Sequence, residues 1–436
     1  MHPRKLLQFA IRWFLVSTLF HFSSGLLAQE SSVPVTLSLR DAVRLALERN
    51  PAAKMADNDV EIQRSLRLDA SKRLNPAFTF TNENWRVFSP DQGPFFQRTE
   101  SFGVFSYEIE RAGQRELRAR AADRAVEMAQ AASDDQRRRL VLEVEGAYFR
   151  AVLAAADLQV AQNILGEIDR IIQINQVRYT NGEISGGDLK RSQVERLRFA
   201  DDVFSSQLAL RNAKSEVLAL LAFPDLGRDF SLSDALPVDL AQPVGIPDMV
   251  SLASVEALQA KALQQRPDLA AAMREQERAD TETLHQRAIR SPNITVDGGY
   301  KRTEGFNTVV FGVTVPLKIF NRNEGGIARA EAELARARNQ AALTRTTLLL
   351  DLQKALNAVK INQERVRYIE QEYLGKSEES RTIVTASYQL GEANLIDLLD
   401  AERAYRETQR TYNQALYEYR ISLYELAAAI GEEFPL

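Results

Sequence analysis

Asp397 and Asp400 stand three residues apart in the stretch LIDLLDAERAY, so on a helix their carboxylates share one face. Repeated around a symmetric assembly, they would stack as acidic rings, which select cations electrostatically. The alternative is a pair of ordinary solvated surface charges. Gly182 and Gly391 each follow a long stretch free of proline, where glycine suits a left-handed helix stop; an isolated glycine there is otherwise a turn with no further job. Catalytic chemistry is poorly supplied. Cysteine is absent, and of the three histidines only His285 lies beyond the N-terminal stretch. Neither a GxSxG elbow nor a P-loop occurs, so nucleophilic and phosphoryl-transfer templates lack their parts. With five methionines besides, no soft-ligand cluster for a transition metal is expected. No catalytic residue, cofactor-binding residue or metal ligand is assigned.

Such residues need elements to hold them, and a compartment. His2, Arg4, Lys5 and Arg12 make a basic start, Trp13 to Leu27 is mostly apolar, and Ala28 is small enough for cleavage. This pattern reads as a secretory signal over residues 1–28. A membrane anchor is the alternative, but its apolar run would need about 20 residues. Removing that segment leaves a net charge near −7. That balance argues against nucleic acid, whose binders concentrate basic charge, and fits a solvated periplasmic surface. Without cysteine there is also no disulfide framework and no acylated N-terminal tether. No later segment offers 18 consecutive apolar residues, which excludes an ordinary helical span. A β-barrel remains as a way into lipid, because lipid tolerates only helices or closed sheets.

The sequence is self-similar. Asn50-Pro51 matches Arg266-Pro267 and Asn75-Pro76 matches Ser291-Pro292, both 216 positions apart. Further on the separation becomes 209: Gly103 with Gly312, Tyr179 with Tyr388, Gly182 with Gly391, Asp188 with Asp397 and Leu189 with Leu398. The change falls where FSPDQGPFFQ in the first half faces the shorter TEGFNTV in the second, which reads as a loop between strands. Around the second loop, Ile294, Val296, Gly298 and Tyr300 alternate with Thr295, Asp297, Gly299 and Lys301. Val309, Phe311, Val313, Val315 and Leu317 repeat the pattern. This is the period of a strand with one apolar face. Phe78 and Phe80, then Phe102 and Val104, give a weaker version in the first half. The aromatics Phe78, Phe80, Trp85, Phe95, Phe96, Tyr300, Phe306 and Phe311 suit an interfacial girdle; a buried soluble core would use the same types.

After each strand pair comes a helical stretch, about Gln114 to Thr180 and about Arg322 to Gln389, each about 100 Å long at 1.5 Å per residue. In the first, Leu140, Val144, Ala147, Ala151, Ala154, Leu158, Ala161, Leu165, Ile168 and Ile172 keep a four-three spacing, the seam of a coiled coil. Leu348, Leu352, Ala355, Val359, Val366, Ile369 and Tyr373 do so in the second, with polar Asn362 interrupting. Returning helices near 188–221 and 395–430 carry seams too, clearest at Tyr412, Leu416, Tyr419, Leu423, Leu426 and Ile430. Shorter helices near 39–49, 52–74, 252–265 and 268–290 precede the strands. Residues 222–250, rich in proline and glycine, form a connector. The expected fold is mainly α with a small β part and an internal two-fold repeat. Its first half runs over 29–221, with a β-hairpin at about 76–110 and a helical hairpin at about 114–221. The second runs over 251–436, with corresponding parts at about 293–317 and 322–430. Four strands cannot close a barrel, since the smallest have about eight, and open edges in lipid cost several kcal/mol per unpaired group. The membrane part must therefore be shared among copies.

Three stretches carry a resemblance: SLRDAVRLALERNP, VPLKIFNRNEGGIARAEAEL and YQLGEANLIDLLDAERAYRETQRTYNQALYEYRISLYEL. The chain resembles the TolC-like outer membrane factors, and within them the CzcC-like branch of metal RND efflux systems, over nearly its whole length beyond the signal. The resemblance implies a homotrimer with a shared twelve-stranded transmembrane barrel and a helical α-barrel through the periplasm of a Gram-negative cell. It also implies a periplasmic adaptor that joins the duct to an inner-membrane RND pump. By the same resemblance, Asn181, Gly182, Gly186, Gly187, Leu390, Gly391 and Glu392 form tips that meet the adaptor. Asp397 and Asp400 match the aspartates that constrict the pore, Tyr388 matches the tyrosine that closes the mouth, and Asp188 is the first-half equivalent of Asp397. A closing arginine of the family is replaced by Ala393. The cargo expected from IFNRNEGG is metal cations; drugs or other small organic compounds are the alternative. A periplasmic coiled-coil adaptor or scaffold would share the signal and the helical hairpins, but its sheet need not face lipid.

Overall fold

The computed structural model describes residues 35–85, 99–236, 254–303 and 305–432. The expected signal segment, the loop with Phe95 and Phe96, and residues 237–250 of the connector lie outside those residues. In chain order the elements are β1 (Thr36–Leu37), α1 (Leu39–Arg49), α2 (Pro51–Ser71), β2 (Ala77–Glu83), β3 (Glu100–Ile109), α3 (Gln114–Thr180), α4 (Gly186–Leu220), β4 (Ser231–Leu232), α5 (Val255–Gln265), α6 (Pro267–Ile289), β5 (Ile294–Thr303), β6 (Phe306–Thr314), α7 (Glu324–Ile369), a π-helical turn (Glu370–Leu374), α8 (Gly375–Leu390) and α9 (Leu395–Ile430).

Two long columns organise the rest. The 67 residues of α3 run from sheet to tip, and α7, the π turn and α8 together make the other column. Toward the sheet, α2 packs on α3, α3 on α6, and α6 on α7; toward the tips the order is α4, α3, α9 and then α7 with α8. The proline breaks mark where one set gives way to the other. Asn50 caps α2, its Oδ1 accepting from Ala52 N at 2.8 Å, while its Nδ2 donates to Leu220 O at the end of α4, also at 2.8 Å. Arg266 begins α6 against the end of α9, so close that a Cβ on Gly431 would lie 3.1 Å from Arg266 N. Pro51 and Pro267 sit at first-turn positions that need no backbone donor.

The main core lies in this middle region, where Leu140, Val144, Tyr148, Val217, Leu352 and Tyr419 are buried together. A parallel bridge between β1 and β4 closes it, brought there by the start of the connector. Tyr148 ties the bridge down: its hydroxyl donates within reach of Leu37 O at 2.9 Å and Asp234 Oδ2 at 2.5 Å. A second, smaller core sits near the tips, built from Ile164, Ile168, Ile171, Phe199, Tyr388, Leu395, Leu398 and Leu399.

The seams differ from the sequence reading in two places. In α3 the expected Leu158, Leu165 and Ile172 are only half-buried; Ile168 is buried as expected, and Ile164 and Ile171 turn inward beside it. An α-helix drifts about 20° per heptad from a strict seven-residue repeat, so one long seam does not stay on one face. Tyr373, expected in the second seam, is exposed. The π turn inserts one residue's worth of rotation after Ile369, and Leu374 takes the inward place. Asn362 keeps its seam position by donating to Glu418 O at 3.2 Å.

β2, β3, β5 and β6 form one antiparallel sheet in that order, with β2 and β6 at its edges. Paired residues share a face, and the register groups Phe80, Gly103, Tyr300 and Val309 on one side. Phe78, Phe105 and Phe311 lie on that side as well, all highly exposed. Phe102 and Val104, expected on the apolar face, are on the other one, where Phe102 pairs with Lys301 and the Lys301 ammonium lies 4.4 Å from its ring centre. The run Phe102-Gly103-Val104-Phe105 is apolar at both parities, so only the register decides its face. Gly299 is required where β5 meets β3, since a Cβ there would lie 2.3 Å from Gly103 O.

Candidate pore entrance and hairpin tips

Each helical hairpin reverses by the same chemistry. At the end of α3, Gly182 takes φ +78° and Glu183 N donates to Arg178 O at 2.8 Å; at the end of α8, Gly391 takes φ +81° and Glu392 N donates to Ser387 O at 2.8 Å. Both are Schellman stops, and the left-handed residue is glycine because a Cβ is strained there. The return helices restart on side-chain caps. Ser185 Oγ accepts from Asp188 N at 3.1 Å and donates to Asp188 Oδ2 at 2.8 Å. Asn394 Oδ1 accepts from Ile396 N at 2.8 Å and Asp397 N at 3.0 Å, and Asn394 N donates to Asp397 Oδ2 at 3.4 Å. Asp397 is thus the third-position partner of a capping box, Asp188 is held to its cap by the Ser185 hydroxyl, and both lie near helix N-termini that favour negative charge. Sequence reasoning missed that role, although S-x-x-D and N-x-x-D at residues 185–188 and 394–397 signal it.

The tip residues are well exposed: Asn181, Gly182, Gly186, Gly187, Leu390, Gly391 and Glu392 all face solvent in the protomer. Asn181 Nδ2 donates to Glu183 Oε1 at 3.2 Å, and the open side of Gly186 is covered by the Tyr179 ring. Asp397 and Asp400 are also exposed, one turn apart on α9. Asp400 is not a free charge, since Arg403 Nη1 donates to its Oδ1 at 3.0 Å, and Arg403 also pairs with Glu195 on α4.

Tyr388 behaves differently. It is buried at 6% exposure, and its hydroxyl donates to Oδ1 of Asn175 on α3 at 2.6 Å. Burial pushes its pKa up; the Asn175 bond and Arg178 oppose that, while the charge of Asp188 adds to it. Arg178 joins the two tips: Nη1 donates to Tyr388 O at 3.1 Å, the guanidinium lies 5.5 Å from the Tyr388 ring centre, and Nε approaches Glu183 Oε2 at 3.5 Å. Neither Asn175 nor Arg178 was singled out from sequence. Their partners lie 213 and 210 positions away, and no local spacing reports such a contact. The structure therefore brings Tyr388, Gly391 and the first tip together through Arg178, and leaves Asp397 and Asp400 on the solvent flank.

Among the described residues no three histidine, cysteine or acidic side chains converge as a metal site, and no helix is long and apolar enough to cross a membrane.

Comparison with known proteins agrees with this architecture. Residues 42–221 and 258–432 match the profile described as outer membrane efflux protein. The cobalt-zinc-cadmium resistance protein CzcC of Cupriavidus metallidurans is 28% identical over 308 residues, 70% of each chain. The CmeC outer membrane channel of Campylobacter jejuni superposes with a TM-score of 0.74 at 18% identity, over 91% of this chain and 87% of that one. The open state of the MtrE outer membrane channel of Neisseria gonorrhoeae gives 0.73 at 19%, over 90% and 89%. At such identities the superpositions speak for the fold, and the profile, spanning both hairpins and the sheet, for the lineage: the chain belongs to the outer membrane efflux protein family, whose members are channels of the outer membrane.

Proposed function

We propose that the chain is one of three subunits of a passive exit duct in the outer membrane of a Gram-negative cell, serving a tripartite pump. The observation that carries this reading is the four-stranded sheet, whose edges β2 and β6 are open and whose exposed face is apolar. In lipid that sheet needs sister sheets, and three copies supply a twelve-stranded cylinder. The aromatics Phe78, Phe80, Trp85, Tyr300, Phe306 and Phe311 are each about half or more exposed in the protomer, as an interfacial girdle requires. Below the sheet, the columns of α3 and α7–α8 extend about 100 Å as a periplasmic tunnel wall. Residues 1–28 act as the export signal, and the two halves derive from a duplicated unit joined by the connector at 222–250.

In this reading the tips, with Asn181, Gly182, Gly186, Gly187, Leu390, Gly391 and Glu392, receive the periplasmic adaptor. Tyr388, locked to Asn175, holds the mouth. Asp397 and Asp400 form the acidic constriction, with Asp188 adding to its field; Arg403 tempers Asp400. The cargo is metal cations delivered by an inner-membrane RND transporter, a reading supported by CzcC, named for cobalt, zinc and cadmium resistance, and by the IFNRNEGG stretch. Selection of the metal would then reside upstream, in the pump. A deletion strain tests this: it should become sensitive to cobalt, zinc and cadmium and keep its tolerance of lipophilic drugs. Sensitivity to drugs alone would replace the metal reading, and unchanged sensitivity to both would remove the duct.

A further inference from the structure

Glu402 lies one turn beyond Leu398 and Leu399 on α9 and is 2% exposed. Among the described residues its Oε2 has no hydrogen-bond partner. Arg381 of α8 faces it with Nε 3.9 Å from Oε1, beyond hydrogen-bond reach. The Arg381 guanidinium lies instead over the Tyr405 ring, 4.3 Å from its centre. From α3 the facing charge is Glu167, a like charge, itself paired with Arg170 at 2.6 Å. Tyr405, Val384 and Val160 belong to the apolar cluster that includes Tyr388. Buried to this degree, with one oxygen lacking a donor and its cation held at arm's length, a carboxylate is poorly compensated, so the packing suits the neutral acid. Burial accordingly pushes its pKa up, with Arg381 opposing and Glu167 adding to the rise.

We propose that Glu402 is a proton-operated switch for the tip half of the helical wall: α8 and α9 pack against α3 around its neutral form, and ionisation loosens that packing and widens the entrance. When the proton leaves to solvent, the new charge must draw Arg381 off Tyr405 or admit water beside it. Either change unseats a contact between α8 and α9 one to two turns from Leu398. The loosened form binds fewer protons than the packed one, so packing is favoured in acid and weakens as pH rises from the ordinary carboxylate range through the raised pKa of Glu402. The widening of an entrance rests on the duct reading; the change in packing does not.

The test uses the full-length protein in planar bilayers, with conductance followed from acid to alkaline pH, alongside hydrogen exchange of α8 and α9 corrected for its intrinsic pH dependence. Wild type should gain conductance several-fold and lose protection in both helices as pH rises. Glu402→Gln, an isostere of the neutral acid, should stay at the low conductance and high protection of acid pH throughout. Asp397→Asn with Asp400→Asn should keep the rise, which separates the switch from titration of the constriction. Retention of the wild-type pH response by E402Q, or a pH-independent wild type, would overturn the proposal. A wild type that never conducts, but whose pH-dependent exchange E402Q abolishes, would uphold the switch and remove the duct.

Discussion

The bond from Tyr388 to Asn175 is the side-chain contact on which the proposed closing role of Tyr388 turns, because Asn175 is fully buried and, among the described residues, its Oδ1 has no other partner. Tyr388→Phe leaves that oxygen unpaired at about 1–3 kcal/mol. The expected outcome is a higher single-channel conductance with the trimer intact; unchanged conductance would remove Tyr388 from the closing role. Replacing Asp397 and Asp400 together by Asn should lower cation preference in a planar bilayer, and unaltered selectivity would reduce both to capping and pairing. At this scale the sequence was readable where chemistry is local. The spacing of Ser185 to Asp188 already encodes a cap, yet a carboxylate also suits a pore, and pattern alone does not separate the two. Arg178 was unreadable because its work is done on a carbonyl of the other hairpin.

Among the elements, the long helices were legible almost to the residue, since glycine stops and the lack of proline fix their ends. The π turn was not: Glu370–Leu374 has no sequence mark distinct from its α-helical flanks, and its effect shows only in the exposure of Tyr373. The Arg-Pro break at 266–267 was visible as a break, but its anchoring was not. Arg266, 5% exposed, donates from Nη2 to Asp268 at 2.6 Å, with Asp351 at 3.4 Å. Burial works to raise the Asp268 pKa, and the hydrogen bonds and charge of Arg266 outweigh it, leaving the carboxyl below its ordinary range. A lowered pKa contributes stability above the unfolded value near 3.9, and that contribution is lost as pH falls through the folded one. Asp268→Asn should cost roughly 2–4 kcal/mol near neutrality, with a difference from wild type that shrinks in strong acid. Thermal unfolding at both pH values checks it, and an equal difference at both would contradict the assignment. Changing Gly182 and Gly391 to valine forces a β-branched residue to positive φ, at about 1–2 kcal/mol each. Metal tolerance should fall while trimers persist; normal efflux would count against docking at the tips.

For the whole molecule, the proposed membrane placement carries assembly with it, a reading open from the sequence before any contact was known, because two short hairpins cannot satisfy their own backbone in lipid. What the sequence could not supply was the order β2, β3, β5, β6, which leaves the first and last strands as the edges and, in the proposed trimer, as the strands that would pair between subunits. The absence of cysteine allows a direct test, since introduced thiols have no native competitor. The measurement is oxidative cross-linking in outer membranes of a chain carrying Thr79→Cys or Thr81→Cys on β2 together with Thr308→Cys or Val310→Cys on β6. The account predicts covalent dimers and trimers with no larger species, all requiring detergent for extraction. A chain that stays monomeric under oxidation and leaves the membrane in high salt without detergent would contradict it.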